Sequence, residues 1–414
     1  MRKITWLRWL AMLLAFGLVA SACGSSSDGD AETADTPTAV ADDGDDDTGD
    51  NDTGDDDDDD DAAAGAGAGD EARAGALAGV CPSPLIIQTD WFAEAEHGAL
   101  YELVGDDYTV DGDNLVVSGS AQLGGQDLGI DIEVRSGGPA IGFAAPRVQM
   151  YTDDSIHLGY TTTDQQMTAW DDLPLISVIA PLDINPQIIM WDADVYPDIK
   201  SIADVGAAGI TVNLFQAGGF PEAFVAQGIW TQDQVDPSYD GGPARFIAEG
   251  DLAQQGFASA EPFNYEFVFE EYGKAPAFQL LHDAGWQVYS QSLGVKPADL
   301  EELRPCLEKF VPIVQQAIVD SVTNPARSNA IIVDAVETFD SFWAYSAELA
   351  AWSVQQQIDL GLVGNGGDGI VGNMDGARIQ AIIDAQREAG IELLDGLSAE
   401  DTFTNEFIDD SIGF

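Results

Sequence analysis

Leu85-Ile86-Ile87-Gln88-Thr89-Asp90-Trp91-Phe92, followed by Glu96-His97-Gly98, is the segment on which the reading of this chain turns. A short apolar run of strand character ends in polar residues, and two aromatics stand just beyond it. The pattern recurs downstream. Ile130-Asp131-Ile132-Glu133-Val134 alternates with the period of a strand and is broken by Ser136-Gly137-Gly138-Pro139. Further strands are predicted at 175–180, 187–191, 210–214, 256–258 and 287–294. Helical stretches at 93–104, 199–205, 221–226, 243–249 and 262–272 fall between them, which predicts α/β layers with largely parallel sheets. The last third differs: 300–322, 325–339, 344–360 and 375–389 read as helices. Pro325 suits a first turn, and Gly361 and Gly390 suit helix ends. A folded unit from 81 to 414 is long for one core, so two lobes are expected.

The chain has 414 residues, 73 acidic and 15 basic, for a formal net charge of −58. That balance excludes a nucleic-acid binder, which needs clustered Lys and Arg against phosphate. Apolar residues still make up 45% of the chain, enough for a sizeable core. The acid is unevenly placed. Twenty acidic residues and no basic one lie between Asp28 and Glu71, including an unbroken run from Asp55 to Asp61, which leaves 53 for a folded surface like those of proteins adapted to salty surroundings.

Residues 1–22 have the layout of an export signal: Arg2, Lys3 and Arg8, then an apolar run from Leu10 to Ala20 that is short for a bilayer span. Ala20-Ser21-Ala22-Cys23 follows and resembles a bacterial lipobox, in which Cys23 becomes the acylated first residue, held at the outer face of the cytoplasmic membrane. An ordinary signal peptide or an uncleaved anchor is the competing reading. Residues 23–80, rich in Gly, Ser, Thr, Ala and Asp, read as a disordered, charge-extended tether. The Asp run lacks the spaced ligands and central Gly of a calcium loop. With Cys23 lipidated, Cys81 and Cys306 remain as an even pair in an oxidising compartment, and a disulfide between them is expected, with two free buried thiols as the alternative.

Taken together, Asp90-Trp91-Phe92 with Glu96-His97-Gly98, Arg135-Ser136-Gly137-Gly138-Pro139, Ser201-Ile202-Ala203-Asp204, Gln254-Gln255-Gly256-Phe257 and Ser259-Ala260-Glu261-Pro262 resemble the substrate-binding proteins of ABC importers. More narrowly they resemble the NMT1/THI5-like group, with its binders of thiamine-pyrimidine precursors and riboflavin and its relatives for nitrate, sulfonates and taurine. The resemblance covers roughly residues 84–390, and its motifs gain weight from their order rather than singly. It implies a two-lobed, type II periplasmic-binding-protein-like fold. Lobe one would comprise 81–186 and 290–414, the latter with C-terminal helices wrapping it, and lobe two 187–289. Ligand would lie in the cleft, and the implied partners are a permease and an ATPase, with the binding protein acting as a monomer.

Candidate cleft residues follow from strand ends and from that resemblance. Trp91 is the candidate for stacking on a flat ring, with Phe92 more suited to the core. His97 offers a hydrogen bond to a heteroatom, or one to backbone at a helix start. Ser136, Gly137 and Gly138 form either a loop whose amides approach a ligand or a plain tight turn. Thr162 stands at a second polar strand end, and Gln216 and Gly218 precede a helix starting near Phe220, at an end tolerant of anions. Glu261 suits an amine or charged nitrogen, or caps the helix that Pro262 begins, and Tyr265 follows one turn later.

Few basic residues (Arg135, Arg147, Arg245) stand near these loops, and the acidic surface slows the approach of anions. A pyrimidine- or flavin-type vitamin precursor is therefore favoured over a nitrate, sulfonate or taurine ligand. An enzyme is disfavoured. One branch of the group makes thiamine pyrimidine with a Cys-rich motif and a sacrificial His, whereas Cys81 and Cys306 are not clustered and His157 and His282 have no nearby Cys. No cofactor or metal motif is present; Asp368-Gly369 and Asn373-Met374-Asp375 are too loose for a calcium loop. An extracytoplasmic sensor is the remaining alternative.

Overall fold

The computed structural model describes residues 73–414 apart from Ala217 and Phe342. The export signal, Cys23 and the tether up to residue 72 lie outside the described residues. Folded structure begins ahead of the boundary expected at residue 81. Leu77 is fully buried, and the amides of Gly75 and Leu77 donate to the carbonyls of Asp127 and Leu128. The end of the supposed tether is thus corrected to part of the fold, because Leu77 supplies the apolar surface the acidic stretch lacks.

Twelve strands are found among the described residues: β1 Leu85–Gln88, β2 Thr109–Asp111, β3 Val116–Leu123, β4 Gln126–Arg135, β5 Leu158–Thr161, β6 Ile176–Ile179, β7 Gln187–Trp191, β8 Val212–Asn213, β9 Val235–Asp236, β10 Ala253–Phe257, β11 Ala277–Leu280 and β12 Ser292–Val295. They form two sheets, in the orders β2-β3-β4-β1-β5-β12-β6 and β11-β7-β10-β8-β9. The chain crosses from the first sheet to the second between Ile179 and Gln187, and returns between Leu280 and Ser292. This is a two-lobed α/β fold.

The sheets are mixed rather than largely parallel. β1 runs parallel to β4 and β5, but β12 is antiparallel to both of its neighbours, and β7 is antiparallel to β10 and β11. The β3–β4 hairpin was not foreseen beyond its 130–134 segment. Gly124 and Gly125, at φ 59° and 77°, make the two-residue turn between these strands. Strand β12 closes the first sheet because the returning chain inserts between β5 and β6.

Helices Leu300–Thr323, Ala326–Phe339 and Ala347–Asp359 pack into the core of the first lobe through Val311, Val314, Ile332, Ala335 and Leu349. Cys81, ahead of β1, and Cys306, in the first of these helices, are joined by a disulfide. Helix Gly376–Glu388 reaches further. Ile379, Ile382 and Ile383 enter the second core beside Met167 of lobe one and Trp191, Phe220 and Phe224 of lobe two. The terminal helices therefore both cover lobe one and brace the junction. No helix among the described residues is long and apolar enough to cross a membrane.

Candidate functional site

A cavity of about 580 Å³ lies between the lobes. Lobe one contributes Asp90, Phe143, Arg147, Tyr160, Thr162 and Asp164. Lobe two contributes Gln187, Gln216, Gly218, Gly219, Glu222 and Phe257, and the returning crossover adds Ser290 and Gln291. The floor is formed by the end of β5 and the start of β12, the loop-after-strand position at which open α/β sheets hold ligands. Gly219, at φ 81°, lets lobe two come close: a Cβ there would lie 3.4 Å from Asp164 Oδ2.

Several buried polar atoms without protein partners line this cavity. Tyr160 Oη, Ser290 Oγ and Gln291 Oε1 are buried and make no hydrogen bond within the protein. A buried polar group left in this state is costly, so such atoms mark a place where something polar binds. Burial foremost, with nearby Asp90, pushes the Tyr160 phenol well above its ordinary value, so it stays a donor.

Of the residues singled out in the sequence, Thr162, Gln216 and Gly218 line the cavity. The others do not, each for a visible reason. The amides of Gly137 and Gly138 donate to the carbonyls of Trp91 and Asp90, at 2.8 and 2.9 Å, and so are not free for a ligand. A Cβ on Gly138 would lie 2.6 Å from the Trp91 ring, so these glycines allow close packing. Trp91 is half-buried, with its ring edge-on to Phe92 at 6.1 Å and to Trp343 at 5.9 Å, and 6.0 Å from Phe143. Phe92 is core. Ser136 is buried, with its carbonyl accepting from Gln88 Nε2 at 2.9 Å. Tyr265 is buried under lobe two, its hydroxyl accepting from Gln254 Nε2 at 2.9 Å and its ring edge-on to Phe246.

His97 and Glu261 belong to an acidic nest behind the cavity. His97 is fully buried, with Nε2 3.0 Å from Asp90 Oδ1 and 3.7 Å from Glu94. Glu96 of lobe one accepts from Ser259 of lobe two and from Gln291 Nε2, so this carboxyl joins both lobes and the crossover. Burial foremost, with Asp90 and Glu261 adding repulsion, pushes its pKa up to about 8. Glu261 accepts from the amide of Phe257 at 2.7 Å, and burial raises it to about 7. It thus ties the start of its own helix to β10 rather than facing a ligand.

Phe143, Arg147, Tyr160, Ser290 and Gln291 were not among the residues selected from the sequence. Phe143 is 64% exposed at φ 60°, an uncommon conformation for a bulky side chain, and stands at the cavity mouth. No periodicity or motif signals it. Arg147 figures in the sequence only as one of three basic residues near the cleft loops, and Tyr160 has a signal as the aromatic just before the polar strand end at Thr161 and Thr162.

No protein-family profile matches this chain, and no curated protein is similar to it in sequence. Solved structures are similar in the course of the chain. A zinc-bound ligand-binding component of an ABC-type import system from Staphylococcus aureus has 11% identity and a TM-score of 0.48, over 78% of this chain and 97% of that one. The periplasmic aliphatic sulphonate binding protein SsuA from Escherichia coli has 12% identity and a TM-score of 0.46, over 75% and 87%. The periplasmic nitrate-binding protein NrtA from Synechocystis PCC 6803 has 12% identity and a TM-score of 0.48, over 79% and 88%.

Proposed function

We propose that this chain is an extracytoplasmic solute-binding lipoprotein of an ABC importer, anchored through Cys23, that captures a small organic molecule between its lobes and delivers it to a permease. The observation that carries this reading is the interlobe cavity whose floor presents Tyr160, Ser290 and Gln291 as buried polar groups without partners. The mechanism is capture by closure. Ligand docks on lobe one at Tyr160 and Thr162, and contacts from Gln216, Gly218 and Phe257 of lobe two then favour the closed form, which the permease recognises.

The favoured ligand remains a pyrimidine- or flavin-type heterocycle, with the stacking role moved from Trp91 to Phe143 and Phe257, the aromatics that line the cavity from opposite lobes. Calorimetric titration with hydroxymethylpyrimidine, formylaminopyrimidine, riboflavin, nitrate and taurine tests it. Saturable binding of a heterocycle, weakened by Phe143→Ala, supports the reading; binding of nitrate or taurine alone overturns the heterocycle. Cys23→Ser tests the anchor, since it should release the protein from the membrane fraction.

A further inference from the structure

Arginine is scarce in this chain; among the described residues Arg73, Arg147 and Arg387 lack a carboxylate partner, and of these only Arg147 lines the cavity. Arg135, Arg245, Arg304, Arg327 and Arg378 each form an ion pair with Asp or Glu. Arg147 does not. It lies in the helix Pro146–Thr152, is half-buried, lines the cavity, and makes no hydrogen bond or ion pair among the described residues. In a chain with 73 acidic residues, an unpaired guanidinium facing a cavity stands out. Its planar fork is suited to bidentate contact with an anionic group, and its partial desolvation is unfavourable until one arrives.

The carboxylate that acts on it through space is Asp164. That side chain is already engaged, accepting from the Gln165 amide at 2.8 Å. Three carboxylates (Asp90, Asp164 and Glu222) line the same cavity as Arg147. A simple anion would meet Arg147 but also face three like charges. A simple cation would meet the carboxylates but leave Arg147 unpaired as the lobes close around it. A molecule bearing both charges satisfies both sets, and Tyr160, Ser290 and Gln291 add neutral hydrogen bonds independent of either.

Resting on the solute-capture reading, we infer that the cleft takes a zwitterion. Its anionic group (carboxylate, sulfonate or phosphate) is held by the Arg147 guanidinium, and its protonated nitrogen is turned toward the carboxylates of the same cavity. A flat, amine-bearing ring with an acidic substituent meets this requirement together with the aromatic contact at Phe143.

The test uses two matched sets on the mature protein by calorimetry: 4-(aminomethyl)benzoate against benzoate and benzylamine, and phenylalanine against 3-phenylpropionate and phenethylamine. Each zwitterion is expected to bind at least tenfold more tightly than either of its halves. Arg147→Gln should erase the advantage over the amine half while leaving the amine's own affinity in place, and Arg147→Lys should keep part of it. An unchanged thermal midpoint shows that either variant is folded. Benzoate or benzylamine binding as tightly as the zwitterion, or a zwitterion affinity indifferent to Arg147→Gln, overturns the inference, as does a neutral heterocycle binding where no zwitterion does. In that last case the capture reading survives. Saturation by none of these compounds, nor by the heterocycles, nitrate and taurine (itself an aminosulfonate zwitterion) above, instead sinks the capture reading and this inference with it.

Discussion

Two loops of lobe one make an instructive pair. The segment from Thr89 to His97, with its glycine partner Ser136–Gly138, is conspicuous in the sequence, and the groups expected to meet a ligand are engaged within the protein: amide to carbonyl at Gly137 and Gly138, hydroxyl to carbonyl at Thr89, imidazole Nε2 to carboxylate at His97. Of its buried side-chain polar atoms only His97 Nδ1 and Ser136 Oγ are left without a partner, away from the cavity. The segment from Phe143 to Arg147 is inconspicuous, yet it carries an exposed aromatic and an unpaired guanidinium into the cavity. Aromatics and glycines at a strand end can signal dense packing as readily as binding; a group left without a partner is the better mark of a ligand site.

Trp91→Ala puts the largest strain on this contrast. It should lower stability by about 3 kcal/mol in chemical denaturation, since the ring packs on Phe92, Trp343 and the glycine loop. A loss of ligand affinity with stability unchanged would return Trp91 to the cleft. Gly138→Ala should cost about 2 kcal/mol, because φ is 57° and the new Cβ meets the Trp91 ring. A neutral outcome would mean the loop has room to move.

Phe143→Ala should behave in the opposite way. With the side chain 64% exposed, stability should change by less than about 0.5 kcal/mol, while affinity for a flat solute falls roughly tenfold, the scale of one stacking contact. Equal effects on stability and binding would erase the distinction between the two loops.

A last prediction concerns the acidic nest and is read as a pH slope. Folded Glu96 titrates at about 8 against an ordinary 4.5, so the folded protein keeps a proton that the unfolded chain has released. This group's contribution is therefore most favourable below pH 4.5 and declines as pH rises toward 8, by up to about 1.4 kcal/mol per pH unit. Glu96→Gln should flatten that part of the stability profile measured between pH 5 and 8. An unaltered slope would mean that another carboxyl, Glu94 foremost, holds the proton.

The long helices were legible because apolar residues recur with helical spacing over many turns: 300–322 was expected and Leu300–Thr323 is found. The strand at Gln187–Trp191 was legible because it is short, apolar and bounded by polar residues. The β3–β4 hairpin was missed because Val116–Leu123 mixes Ser, Gly and Gln into its strand, and its turn is a Gly pair with no Asn or Asp signal. In the site, Thr162, Gln216 and Gly218 were reachable as polar residues at strand ends. Tyr265 misled because the turn after Glu261 opens into a π-helix at Asn264–Val268, and the ring is buried in lobe two instead of facing the cleft.

By itself the sequence determined the acidic character, the α/β alternation and the helical last third, because each rests on composition or on local periodicity. Which polar atoms remain unpartnered was decided only by the tertiary structure. That depends on how Gly137 and Gly138 meet the 90–91 backbone, how Gly219 meets Asp164, and how the returning crossover sets Ser290 and Gln291 beside Tyr160. Satisfaction of a hydrogen bond is a property of pairs distant along the chain, and no local pattern records it.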